Sequence, residues 1–375
     1  MTVKQTVASR AVRKLASHPG ALLAVSAVFL FATAVSVAAE VTAVPTPAPA
    51  RLAYVTETAT SLPKVWIAAA DGVEPKLLGP GQQPLLAPNS QAVAVSLLGK
   101  QVGDQEQGPS IGVYPASGAP LAGYLSLETA VATPLAWSPD SRYLAVASRS
   151  NGTNDIADDS GLDVLDTQTG TVTRIAAGIV YGASFARDGS DRIVFGLSHS
   201  ESFTGPVNLY MSEADGAGLH ELTSDGRSLN PVWGPTYIAY DREHRRHLSP
   251  EYQIWLASPG GAPVRRLTHV RVGALVQGLV PLAFSADGGR MLAQFEGQDT
   301  IEAYAVNVAS GRARGVRTHG SAVIGAGISA DGSTLLIDEG SFEQPPSQGR
   351  IAAIPFAGGH PRVLVAHASQ ASWDD

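Results

Sequence analysis

Three histidines raise the first chemical question. His269 in "RRLTHV", His319 in "GVRTHG" and His367 in "VLVAHA" each follow a short apolar segment, spaced 50 and then 48 residues apart. Neutral imidazoles are good ligands for a transition metal such as zinc or manganese, and three of them leave a fourth position for substrate. A metal held in this way would serve a lyase or hydrolase as a Lewis acid. The same histidines also suit water-exposed loops, which tolerate the residue freely. A second cluster, Asp155, Asp158, Asp159 and Asp163 in "NDIADDSGLD", supplies the hard oxygen ligands that calcium prefers. Its spacing departs from the EF-hand, and an acidic loop is equally at home in water.

Other chemistry is excluded or weak. The chain has no cysteine, so disulfides, thiolate metal sites and thiol catalysis are absent. "GPSIG", Gly108 to Gly112, fits the letters of a nucleophile elbow. That motif needs a strand–turn–helix to present its serine, whereas Ser110 leads straight into an apolar strand pattern. Trp137, Phe185, Trp233, Phe284, Ile328 and Trp373 share one repeat position. Ile keeps the bulk of that column and loses the π-face, so the column packs rather than stacks on ligands. Asp140, Asp188, Asp287 and Asp331 share a turn position, where Asp accepts from the backbone two residues on.

These columns exist because the sequence repeats. "RLAYVTE", "AVAVSLL", "YLAVASR", "RIVFGLS", "YIAYDRE", "MLAQFEG" and "LLIDEGS" read as seven apolar strands. Each precedes a second strand, such as "KVWIAAA" or "LDVLDTQ", closed by a tight turn. The turns are Asp71-Gly72, Ser117-Gly118, Thr169-Gly170, Asp215-Gly216, Gly260-Gly261, Ser310-Gly311 and Gly358-Gly359, which supply the positive φ a hairpin needs. Another strand follows each turn, and one more, as in "PLAWSPD" or "PLAFSAD", begins each unit. The period of roughly 45–50 residues is that of four-stranded propeller blades. The last copy, "SQASWDD", ends the chain just where "RLAYVTE" should follow. Pairing the two ends closes a seven-bladed all-β propeller over residues 51–375 and removes its free sheet edges.

"WSPDSRYLAV", "FSADGGRMLAQ" and "ISADGSTLLI" resemble the W-S-P-D-G blade motif of the WD40-like (PD40), or TolB-like, β-propeller family. The resemblance covers nearly everything after residue 50 and is specific for the repeat rather than for an activity. TolB has six such blades and a separate N-terminal domain; the expectation here is seven blades and no such domain. The resemblance implies that the crossings between blades lie on the top face, where related propellers bind ligands. Related oligogalacturonate lyases hold a histidine-bound metal near that mouth, where His269, His319 and His367 would fall.

Residues 1–20 form a basic flank with Lys4, Arg10, Arg13 and Lys14, and residues 21–39 an uncharged apolar run. Nineteen such residues approach the ~20 of a membrane span and exceed the ~7–15 of a signal-peptide core. The expectation is an N-terminal transmembrane anchor, or a signal peptide cleaved after Ala39, with the remainder exported. Residues 40–50 are a semi-rigid Pro/Ala linker. Beyond residue 39 the chain holds 22 basic against 33 acidic side chains, a formal charge of −11. Nucleic acid is excluded as a partner, since no basic stripe faces phosphates. The functional expectation is a membrane-tethered, non-catalytic binding or assembly platform in the bacterial cell envelope. Its partner would be an envelope or extracellular protein or a glycan. Two alternatives stand: a metal-dependent lyase or hydrolase taking calcium, manganese or zinc, and a ligand sensor working with a separate membrane partner.

Overall fold

The computed structural model describes residues 51–58, 61–97, 100–102, 105–107, 110–118, 121–124, 130–150, 160–200, 205–246, 249–271, 276–297, 300–320, 322–340 and 348–373. The chain divides into two units, Met1–Thr46 and Pro47–Asp375. The expected membrane segment, 21–39, lies outside the described residues. No described helix is long and apolar enough to cross a membrane.

The described residues are all β, with no α-helix. β1 (Arg51–Thr58), β2 (Ser61–Ala69) and β3 (Lys76–Pro80) open the chain. β4 (Gln82–Leu86), β5 (Ala92–Ser96), a small hairpin of β6 (Lys100–Val102) and β7 (Gln105–Gln107), β8 (Ile111–Pro115) and β9 (Ala122–Tyr124) follow. Next come β10 (Ala130–Trp137), β11 (Tyr143–Ser150), β12 (Gly161–Asp166) and β13 (Thr171–Ala177). They lead to β14 (Ile179–Phe185), β15 (Arg192–Ser198), β16 (Asn208–Glu213) and β17 (His220–Glu221). The later strands are β18 (Ser228–Trp233), β19 (Ile238–Arg246), β20 (Ser249–Ala257), β21 (Pro263–Arg266), β22 (Val276–Phe284), β23 (Arg290–Gly297), β24 (Ile301–Asn307) and β25 (Ala313–Gly315). The last are β26 (Ala322–Ile328), β27 (Thr334–Gly340), β28 (Arg350–Pro355), β29 (Arg362–Ala366) and β30 (Ser369–Trp373).

Neighbouring strands pair antiparallel in sets of four: β4-β5-β8-β9, β10 to β13 and β14 to β17. β18 to β29 make three further sets, joined only by the single parallel pairs Tyr252↔Gly278 and Ile301↔Ala322. The remaining set has the order β3-β2-β1-β30, so the C-terminal strand pairs with the N-terminal one, Leu52 opposite Trp373. The first strand of each set touches that of the next, in the order β4, β10, β14, β18, β22, β26, β30 and again β4.

Packing between sets explains the sequence pattern. The second strands are apolar almost throughout, as in β15, because both faces are covered by neighbouring sheets. Outer strands such as β3 and β29 are mostly exposed and tolerate charge. The aromatic column sits in these seams: Trp137, Phe185, Trp233 and Phe284 are buried, and Trp233 packs on Val194, Leu209 and Met211 of the preceding sheet. The third-to-fourth-strand turns carry Gly72, Gly118, Gly170, Gly216, Gly261, Gly311 and Gly358 at φ between 70° and 94°. At Gly311 a Cβ would also fall 2.1 Å from the Leu267 carbonyl oxygen, so this turn tolerates no side chain.

Each first strand is interrupted by a register shift at the same level, at Pro134/Ala136, Pro281/Ala283 and Gly325/Gly327 for example. Aligned on their partners, Gln83, Pro134, Gly182, Asn230, Pro281, Gly325 and Gln370 occupy one column. Gln83, Asn230 and Gln370 there have φ of 50°, 45° and 54°. The sequence repeat marks the strands but not these bulges.

Candidate functional site

Antiparallel order puts the first-to-second and third-to-fourth connections at one end of every set. The second-to-third connections and the crossings to the next set lie at the other. The first end is a field of short turns. On the crossing end, the second-to-third hairpin of one set is long and regular: β19 and β20 pair without interruption from Ile238↔Ala257 to Arg246↔Ser249. The charged stretch "REHRRH" reads as a loop in the sequence, and the structure corrects this. His244 is in strand β19, while His247 lies outside the described residues.

Period-two geometry places Tyr240, Arg242 and His244 on one face of β19 and Asp241 and Glu243 on the other. Cross-strand pairing sets Gln253 beside Arg242, Trp255 beside Tyr240, and Arg266 of β21 beside Trp255. Together with Arg227 and Glu243 these residues line a recess of about 260 Å³. Arg242 is fixed twice, by an ion pair to Asp225 at 2.6 Å and by lying 4.8 Å over the Trp255 ring. Asp225 also accepts from Arg227 N and Ser228 Oγ, tying the β17–β18 crossing to β19. Arg266 donates from Nε to the Thr268 carbonyl at 2.8 Å and stands 3.7 Å from Glu251.

Gln253 is fully buried and fully used. Its Nε2 donates to Glu251 and the Val270 carbonyl, and its Oε1 accepts from Thr268 Oγ1 and Val270 N. The recess floor is therefore rigid. The guanidinium of Arg227 has no partner among the described residues.

The residues singled out from the sequence fare differently. His269, His319 and His367 do follow β21, β25 and β29 on the crossing end, and all three are exposed. The structure does not gather them: among the described residues no three His, Asp or Glu side chains are grouped to hold a metal ion. Each stands in a different set, so one imidazole arrives per sheet. Asp155, Asp158 and Asp159 lie outside the described residues. Asp163 is corrected from loop to strand: it is in β12, is 3% exposed, and takes Arg174 at 2.6 Å and Ser148 Oγ at 2.7 Å. A carboxylate already paired and hydrogen-bonded inside a sheet is not a loop ligand for calcium. The turn aspartates behave as the spacing predicts: Asp140, Asp188, Asp287 and Asp331 accept from Arg142 N, Ser190 N, Gly289 N and Ser333 N.

Two buried carboxyls escape the sequence reading. Asp241 is 2% exposed, and its Oδ1 has no hydrogen-bond partner among the described residues. Burial pushes its pKa up to about 7, against a side-chain hydrogen bond from Asn230 that works the other way. Asp338 also has a buried Oδ1 with no partner among the described residues, and burial again pushes its pKa up to about 7. The available signal was an acid at the fourth position of an otherwise apolar second strand, where other sets hold Val55, Ser96, Ala147, Gly196 and Gln294.

No family model and no curated relative matches the chain. Solved structures do. The β-propeller domain of the Trilobed protease from Pyrococcus furiosus aligns with a TM-score of 0.61 at 12% identity, over 86% of this chain and 96% of that one. Its topology is described as open velcro, whereas here β30 pairs with β1. A prolyl endopeptidase aligns with a TM-score of 0.61 at 13% identity over 85% of this chain, which spans about half of the enzyme's length, 48%. Oligogalacturonate lyase in complex with manganese aligns with a TM-score of 0.55 at 14% identity, over 74% and 80% of the two chains. TolB from Acinetobacter baumannii also matches, with a TM-score of 0.47, too low to carry argument. This chain has a β-propeller fold. Identities this low speak to the fold alone, and the neighbours include enzymes.

Proposed function

We propose that the chain is a closed seven-bladed propeller, held at the outer side of a membrane by residues 21–39, that works as a non-catalytic binding or assembly platform. Support for closure comes from the β1–β30 pairing and from the run of first-strand contacts that returns from β30 to β4. Removing residues 369–375 tests it, because that deletion exposes both the edge of β1 and the apolar seam around Trp373. The expected outcome is loss of the cooperative thermal transition. A truncated chain that melts like the full one would overturn closure.

The observation that carries the binding role is the pre-formed recess beside Trp255. The Arg242 guanidinium on the Trp255 ring and the Gln253 floor amide are held in place before any ligand arrives, which lowers the ordering cost of binding. The test is in-cell cross-linking of the full chain against an Arg242→Ala/Trp255→Ala variant of unchanged thermal stability. A defined cross-linked species lost in the variant supports the platform. Identical species from both chains sink the recess as its binding surface.

The competing enzyme reading would use His269, His319 and His367 with a divalent metal. Its external support is the manganese-bound lyase neighbour, whose likeness concerns fold. A thermal melt of the full chain with EDTA, then Mn²⁺, Zn²⁺ or Ca²⁺, separates the two. A ligand at 100-fold over its Kd adds about 2.7 kcal/mol. The platform reading expects no metal-dependent shift. A rise abolished by replacing the three histidines with Ala would overturn it.

A further inference from the structure

We propose that the recess beside Trp255 receives a carboxylate carried on a small planar or apolar body, with Arg227 as its charge partner. This deepens the binding reading and rests on it.

The three guanidinium groups differ in how their charge is met. Arg242 has its charge met by Asp225 at 2.6 Å, and its plane is occupied on one side by the Trp255 ring. Arg266 gives its Nε to the Thr268 carbonyl and lies 3.7 Å from Glu251, a long contact that leaves donors over. Arg227 has no side-chain partner among the described residues, yet its backbone is anchored: its N–H donates to Asp225 and its carbonyl accepts from Glu243 N. The recess thus offers one uncompensated cation on a fixed stretch of backbone, beside a stacked guanidinium–indole wall.

An exposed arginine alone is ordinary surface. What distinguishes Arg227 is its neighbourhood. The free face of a guanidinium stacked on Trp accepts a second flat or apolar group, and the floor beneath it, Gln253, cannot turn away because all four of its hydrogen bonds are internal.

Size and charge narrow the ligand. About 260 Å³ falls below the roughly 300–1,000 Å³ of pockets for drug-sized molecules, so the recess takes one residue-sized group. Both carboxylate and phosphate match an arginine fork. Glu251 and Asp225 stand behind the recess, so a doubly charged phosphate meets more repulsion than a singly charged carboxylate. The chain beyond residue 39 is acidic overall. Long-range steering therefore works against anions, and recognition must come from the local contacts.

The experiment is a tryptophan-fluorescence titration of the full chain with phenylacetate, its neutral analogue phenylacetamide, and inorganic phosphate. A Trp255→Phe variant assigns the signal among the five tryptophans. The expected result is a saturable response to phenylacetate that is about tenfold or more weaker in Arg227→Ala, with little response to the amide or to phosphate. Arg227→Lys, which keeps charge and loses the fork, should fall between. Equal binding of acid and amide, a preference for phosphate, no saturable binding at all, or an unaffected Arg227→Ala variant of normal thermal stability would each overturn the proposal.

Two arms separate the sources of a carboxylate. A short peptide with a C-terminal Phe should compete with phenylacetate if the group is protein-borne, and phenylacetate alone should bind if it is a free acid. Either outcome upholds the ligand class. If the cross-linked species survives in Arg227→Ala while being lost in the Arg242→Ala/Trp255→Ala variant, the carboxylate assignment fails and the platform stands.

Discussion

Three successive sheets place a polar side chain at one position of their second strand, and the junctions it faces are built differently. In β23, Gln294 accepts from Gly325 N at 2.7 Å and donates to the Val323 carbonyl at 3.2 Å, both in the first strand of the next sheet. In β27, Asp338 accepts through Oδ2 from Gln370 N and Ala371 N, again one sheet on. Asp241 in β19 holds the same place. The bulge column puts Pro281 where the other junctions have Gly325 and Gln370, and proline has no N–H to give. Among the described residues Asp241 has a side-chain hydrogen bond from Asn230, in its own sheet, and Oδ1 is left over. A repeat can therefore keep its geometry and still lose the bond the geometry was serving.

The largest consequence concerns charge. With its pKa raised from 3.8 to about 7, Asp241 binds a proton in the folded state that the unfolded chain releases. Its contribution to stability is present below pH 4, declines as pH rises from about 4 to about 7, and is gone above that. Ionising it in place costs up to about 4 kcal/mol. Asp241→Val, the residue type that Val55 provides at this position in another sheet, should stabilise the fold at pH 8 by up to that amount and change little at pH 4. Urea midpoints at the two pH values measure it. A variant less stable at pH 8 would mean that Oδ1 meets a partner in solution.

Asp338 shares the raised pKa, for the same first reason, burial. Removing it should nonetheless hurt where removing Asp241 does not. Asp338→Val leaves the N–H groups of Gln370 and Ala371 without an acceptor, a loss of about 2–3 kcal/mol at pH 4, where ionisation no longer contributes. At pH 4 the expectation is a clear loss for Asp338→Val beside little change for Asp241→Val. Equal effects would dissolve the distinction between the junctions.

A smaller effect tests the cause directly. Pro281→Ala supplies the missing N–H, so it should lower the Asp241 pKa and add about 1 kcal/mol at pH 8. The gain should vanish in the Asp241→Val background, as a double-mutant cycle on a single shared bond requires. A gain that persists there would belong to Pro281 itself.

These junctions mark where the sequence stops being legible. The turn glycines could be placed from letters alone, because only positive φ demands them, and all seven turns carry it. The aromatic column could be placed because bulk in an inter-sheet seam is interchangeable between Trp, Phe and Ile. Asp241 could not. Alternation assigns a strand residue to a face, but the group opposite it belongs to another repeat some forty residues away, and its register depends on a bulge. The recess was hidden for a related reason. Six charged or imidazole side chains from Arg242 to His247 look like loop, yet backbone pairing alone carries β19 and β20 to Arg246↔Ser249. Asp163 was misplaced by the short reach of composition: "DDSGLD" is acidic throughout, and only pairing separates the residues before Ser160 from the strand after it.

The turn carboxylates provide the smallest contrast, since they are acids whose repeat position is fully served. Asp188 and Asp331 are held down to about 2, first by the hydroxyls of Ser190 and Ser329 and then by backbone N–H groups. Their sign is opposite to that of Asp241: the stabilisation is present above pH 4 and lost as pH falls through about 2. Because both are exposed, water screens the effect, and Asp331→Asn should shift the melting temperature only slightly at pH 7. Between pH 4 and pH 2 the variant should lose less stability than the parent chain, while Asp241→Val follows the parent over that window. If instead the two variants titrate over the same window, the acid-served turns and the unserved junction are not the separate populations of carboxyls that the hydrogen bonds describe.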